Sequence, residues 1–189
     1  MLYIDLVGED GRYITREVAD YRNFINKQIY TVHEVSFEIP GAAETARLIL
    51  SVRDRYGRTI ALSSVDLVLV QMGDNIINPE AFPQEPFLIR SPKADDIITG
   101  GIVHLSAVAR PLNNNPLIIE LVNETGGAIA SRILQVDPPS GNLSHTPFEI
   151  DIPYQISNTT RARLTIHQVS DGRLPGTIAL NSIALTLKP

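Results

Sequence analysis

The chain has 189 residues, room for one large domain or two small ones, and its 43% hydrophobic and 20% charged residues describe a chain that folds rather than one that stays disordered. Sixteen Lys and Arg against 21 Asp and Glu leave a net charge of -5, which argues against nucleic acid and anionic membrane as partners, because both select clustered positive charge. With no cysteine, a disulfide framework, a thiol nucleophile and thiolate metal sites are excluded.

The chain opens on Leu2-Tyr3-Ile4-Asp5-Leu6-Val7, which lacks a basic lead-in and carries an acid within its apolar run, so it reads as a strand and not as a signal peptide. That abrupt start fits a cytosolic chain or a processed or recombinant piece of a longer one. The longest apolar runs, at 60–62 and 65–70, fall far short of the ~18 residues a spanning helix needs, so no membrane insertion is expected. Downstream, Leu117, Ile119 and Leu121 share one face with Glu120 on the other. Phe148, Ile150 and Ile152 oppose Glu149 and Asp151, and Ile183, Leu185 and Leu187 alternate with Ala184, Thr186 and Lys188. This period of two marks strands with one buried face. Turn clusters separate them, among them Glu9-Asp10-Gly11, Thr125-Gly126-Gly127 and Asp171-Gly172-Arg173. No helical stripe competes, and the pattern predicts an all-β chain of antiparallel sandwiches.

The chain also contains one module twice. Leu2-Tyr3-Ile4-Asp5-Leu6-Val7 aligns with Leu117-Ile118-Ile119-Glu120-Leu121-Val122, and Ile14 with Ile129. Phe37-Glu38-Ile39-Pro40 aligns with Ile150-Asp151-Ile152-Pro153, Ala46-Arg47-Leu48 with Ala162-Arg163-Leu164, and Ile60-Ala61-Leu62 with Ile178-Ala179-Leu180. Blocks in the same order, with the offset drifting only in loops, define a duplication. Two tandem sandwiches are expected, at 1–72 and 91–189, joined over 73–90 by an extended connector holding Pro79, Pro83 and Pro86. The second copy has an opening strand at 102–109 that the first lacks; its counterpart, about 25 residues by strand lengths, would lie before Met1. Either the start is set late, or another chain or the linker supplies the strand. On this reading Leu2, Ile4 and Leu6 form a candidate open-edge strand.

The second copy resembles the immunoglobulin-like domain of bacterial spore-germination proteins, also found beside LysM modules in surface proteins. The likeness rests on Ser91-Pro92, Gly100-Gly101, the strand ending at Ala109, and 117–122 with its Gly126 turn. It continues through Pro147-Phe148-Glu149-Ile150, Asp171-Gly172-Arg173 and 178–183, and the first copy follows the same pattern through 58–65. The resemblance implies a non-catalytic extracellular or cell-surface module of bacteria, with no catalytic residues and no cofactor to carry over. Protein partners, the chain itself included, are expected first.

Nothing in the residues spells an enzyme. His33, His104, His145 and His167 form no local metal pair, and no nucleophile elbow, P-loop or zinc-protease motif occurs. Glu149 and Asp151 read as a solvated strand face, and Asp95-Asp96 lacks the spaced acids of a calcium loop. Aromatic residues concentrate in the first copy, three of them between Tyr21 and Tyr30. Tyr21, Arg22, Phe24, Lys27 and Tyr30 therefore make a candidate interaction loop for protein or a cell-wall glycan. The functional expectations are a structural or interaction module first, then a self-assembling filament subunit joined by strand donation, then a glycan- or peptidoglycan-binding module.

Overall fold

Alternating sequence becomes strand in both copies. In the computed structural model, which describes residues 1–24, 29–73 and 84–189, the first copy contributes β1 (Leu2–Gly8), β2 (Tyr13–Ala19), β3 (Ala43–Arg53) and β4 (Thr59–Val70). The rest of the chain contributes β5 (Phe87–Ser91), β6 (Ile97–Ile98), β7 (Ile102–Ala109), β8 (Leu117–Asn123), β9 (Ala128–Leu134), β10 (Thr146–Pro153), β11 (Thr160–Val169) and β12 (Thr177–Leu187). One large sheet runs β2-β1-β3-β4-β12-β11-β8-β9, with β6 pairing in parallel at the end of β12. A small sheet, β10-β7-β5, lies over the second half alone. The all-β antiparallel reading holds.

The second half is a sandwich with a continuous core. Leu117, Ile119 and Leu121 from β8, Leu164 and Ile166 from β11, and Leu185 and Leu187 from β12 meet Val103, Leu105 and Ala107 of β7 and Phe87 of β5. Each set is the apolar parity of its strand, so the alternation and the layering agree.

The order of the large sheet is a palindrome of counterparts. β4 and β12 pair antiparallel at its centre, with Leu62 opposite Leu180, its own counterpart in the duplication. A pseudo-twofold axis therefore passes through that pair, perpendicular to the sheet, so the inward faces of the two halves lie on one side. The first hairpins repeat in detail. Gly11 and Gly126, both at positive φ, donate their amides to the carbonyls of Gly8 and Asn123.

The structure bears on three expectations. The two copies share one large sheet through β4 and β12, and among the described residues a second sheet covers only the second half of it, in keeping with an incomplete first copy. The end of the expected linker is strand: Phe87 is fully buried, and β5 pairs with β7. Leu2, Ile4 and Leu6 are not on an open edge, since β1 is hydrogen-bonded to β2 on one side and β3 on the other. The opening strand of the second copy, β7, lies in the second layer, so the first copy, which has no counterpart of it among the described residues, has an uncovered face and no gap in its ladder.

Candidate functional site: an open sheet face over the first half

The inward face of the first half carries apolar residues from three adjacent strands. The registers set Ile4 opposite Leu50, Leu50 opposite Ser63, and Leu48 opposite Val65. At one end this face has a small core in which Leu6, Ala46 and Leu69 pack with Ile39, flanked by Ile14, Leu48 and Leu67. Towards the other end it is open. Leu50 is 38% exposed and Val65 44%, while Ile166, the counterpart of Leu50, is 0% exposed. Leu2, Leu50, Val52, Ala61 and Ser63 floor a groove of about 330 Å³, walled by residues 84–87 leading into β5. No floor residue is charged, which sets this concavity apart from the polar surface around it.

The block Phe37-Glu38-Ile39-Pro40 explains how the face comes to be open. Its counterpart is part of β10, whose ladder partner is β7, with Ile150 opposite Leu105 and Ile152 opposite Val103. Among the described residues the first half has no copy of β7. Residues 35–39 accordingly form no strand and no backbone–backbone hydrogen bond among the described residues. They are pinned only locally, where Thr15 Oγ1 donates to Ser36 O and Gln71 Nε2 to Ile39 O. Phe37 is left exposed.

The opposite face holds the two halves together. Arg47, 3% exposed on β3, pairs with Asp66 through Nε at 2.6 Å. The same guanidinium donates to Leu174 O at 2.8 Å, Pro175 O at 3.0 Å and Ser170 Oγ at 3.1 Å in the β11–β12 loop. A planar fork of donors suits this position, where a buried cation must satisfy carbonyls as well as a carboxylate. Further bonds cross the seam: Ser182 Oγ to Ile60 O, Ser64 Oγ to Ile178 O, Tyr56 OH to Glu124, and Arg58 to Asn123 O. Burial pushes the Asp54 carboxyl up, but hydrogen bonds from the Arg58 side chain and the amides of Arg58 and Tyr56 more than offset it and hold it below its ordinary value.

A second depression of about 240 Å³ lies on this face, where Arg58, Glu120, Arg163, Thr165 and His167 line it together with Val122 and Leu180. Burial lowers the His167 imidazole, with Glu120 opposing, and burial also lowers the Arg163 guanidinium. Among the described residues no group of three metal-ligating side chains gathers. His104 pairs with Asp151 at 2.6 Å on the solvent side of the small sheet, and His33 with Glu17 at 2.7 Å. Asn123 Oδ1 accepts from the amides of Thr125 and Gly127, so this side chain shapes the β8–β9 turn.

Of the candidate loop, Tyr21 and Phe24 come together with ring centroids 6.4 Å apart across a short 3-10 turn. Arg22 is committed to Asp20, whose carboxyl it holds well below the usual range. Tyr30 is 87% exposed, and Lys27 lies outside the described residues. Other first-half tyrosines lie beneath arginines on the sheet surface, Arg16 over Tyr13 and Arg53 over Tyr3. The open face itself went unread as a site in the sequence. Its available signal was the unequal copies, one block of which, Phe37-Glu38-Ile39-Pro40, had no partner strand to pair with. Compared with protein-family models, with curated proteins and with solved structures, the chain finds no match.

Proposed function

We propose that this chain is a non-catalytic structural and interaction module of a bacterial cell-surface or envelope protein, with the open face of its first half as the contact surface. The observation that carries the reading is the contrast between Leu50, exposed over an uncharged groove floor with Glu17 and Glu44 towards the ends of the same face, and its buried counterpart Ile166. Exposed apolar surface framed by polar residues is characteristic of protein contacts. The resemblance to immunoglobulin-like surface modules supports the same class. So does the use of the chain's buried charge: Arg47 and Arg58 bond the two halves together.

The test pairs two measurements on the whole chain. Anilinonaphthalene sulfonate, a dye that brightens on apolar surface, should bind the native protein saturably and lose most of its signal in Leu50→Asp. Light scattering should give a constant mass near 20.8 kDa across a wide concentration range. A dark native protein would contradict an available contact face. A mass that climbs with concentration, and is fixed by Leu50→Asp, would favour the self-assembling subunit instead.

A further inference from the structure

We propose that the open face takes an extended polypeptide segment with apolar side chains at alternate positions, which adds antiparallel to residues 35–39 and covers Leu48, Leu50 and Val65. This names the partner of the contact surface above and rests on that reading. The protein carries its own template for the occupant. In the second half, β7 pairs with β10 and turns Val103, Leu105 and Ala107 onto the large sheet, where each is almost wholly buried. The pseudo-twofold axis through Leu62 and Leu180 relates that arrangement to the first half and keeps it on the same side of the sheet. There the floor residues and the β10-like block are present, and among the described residues no strand lies between them. The occupant thus continues the existing sheet-on-sheet interface across the axis, with a leucine-sized side chain opposite Phe37 and a valine-sized one opposite Ile39. Main-chain pairing and alternate apolar anchors are the two components of strand addition.

Charge completes the description. Glu34 and Glu38 are both exposed beside the pairing segment, so basic residues flanking the apolar run complement it. A second copy is a poor donor. Its β7 is already paired on both sides, by β10 and β5, and the edge strands β2 and β9 each carry an arginine in mid-strand, Arg16 and Arg132. Two copies also share a net charge of -5. These features favour a segment of another polypeptide over a second copy as the occupant.

The probe is a synthetic peptide with the sequence of residues 101–110, flanked by lysines and carrying a fluorophore, titrated with the whole chain and read by anisotropy. Saturable one-to-one binding is expected, weakened roughly tenfold or more by Leu50→Asp and by Val65→Asp, since each places a carboxylate under an apolar anchor. Circular dichroism of both variants checks that they fold. Leu88→Asp, on the outward side of β5, should bind like the parent, and a scrambled peptide without alternation should not bind. Absence of saturable binding overturns the proposal, as does equal binding by all the variants or a peptide-independent dimer abolished by Leu50→Asp. If the peptide fails while the dye still reports an open face, the strand proposal falls alone; if both fail, the interaction-module reading falls with it.

Discussion

The two halves of the large sheet share a strand order and a hairpin geometry, yet among the described residues a second sheet roofs only one of them. Leu164 and Ile166 are fully buried beneath the small sheet, whereas their counterparts Leu48 and Leu50 are half-buried and exposed. The same contrast appears one layer up, where the block ending in Ile152-Pro153 is a strand and the block ending in Ile39-Pro40 is not. The comparison shows that strand formation in the second layer depends on its partner. β10 has β7 beside it, and without a β7 the same alternation remains unpaired chain. Local pattern and long-range pairing are separable here because the duplication supplies one with the other and one without.

The largest expected effect tests burial across that pair of halves. Ile166→Asp should lose more than about 4 kcal/mol or fail to fold, because it buries a carboxylate in the core. Leu50→Asp at the matching position should cost about 1 kcal/mol or less, since the side chain can reach water. Urea denaturation of both variants gives the comparison directly. Equal losses would mean that the first-half face is covered after all.

Next comes the seam. Arg47→Ala strands the carbonyls of Leu174 and Pro175 together with Asp66. A loss of about 3 kcal/mol is expected, together with faster amide exchange in the β11–β12 loop. A variant as stable as the parent would remove Arg47 from the account of how the halves hold together.

A smaller effect depends on pH. His167 has its imidazole lowered mainly by burial, with Glu120 opposing, so the unfolded chain takes up a proton before the folded one does. Stability should therefore fall as pH drops below about 6.5, the ordinary histidine value, and level off below the folded value. In His167→Gln the slope over that interval should flatten, which denaturation at pH 7.5 and 5.5 would measure (the two values chosen to lie about one unit either side of the ordinary value). Smallest of all is Tyr56→Phe, which removes a bond to Glu124 between exposed groups and should change stability by less than about 0.5 kcal/mol.

Much of the fold was legible in the residues. Alternation located β7, β8, β10 and β12, and self-comparison paired β1 with β8 and β4 with β12. Layering was not legible. Nothing local distinguishes Phe37-Glu38-Ile39 from Ile150-Asp151-Ile152, because the difference lies in a ladder partner distant in sequence. β5 was hidden by its setting, since Phe87-Leu88-Ile89 follows closely spaced prolines that read as connector. The role of Arg47 could not be read from its place in the block Ala46-Arg47-Leu48, because contacts from the 170–176 loop, distant in sequence, help to bury it on β3. The exposure of Leu50 and Val65 was hidden for the same reason, since the burial of a strand face is set by the layer packed on it and not by the strand's own alternation.

The central claim is that residues 35–39 are a strand waiting for a partner, and amide hydrogen exchange resolved by residue tests it most directly. In the free chain, the β10 amides facing β7 should be protected while those of Phe37, Glu38 and Ile39 exchange freely, and the peptide of residues 101–110 should slow amides in this second set alone. Equal protection of the two blocks in the free chain would contradict the account, because the first block would then already have its partner.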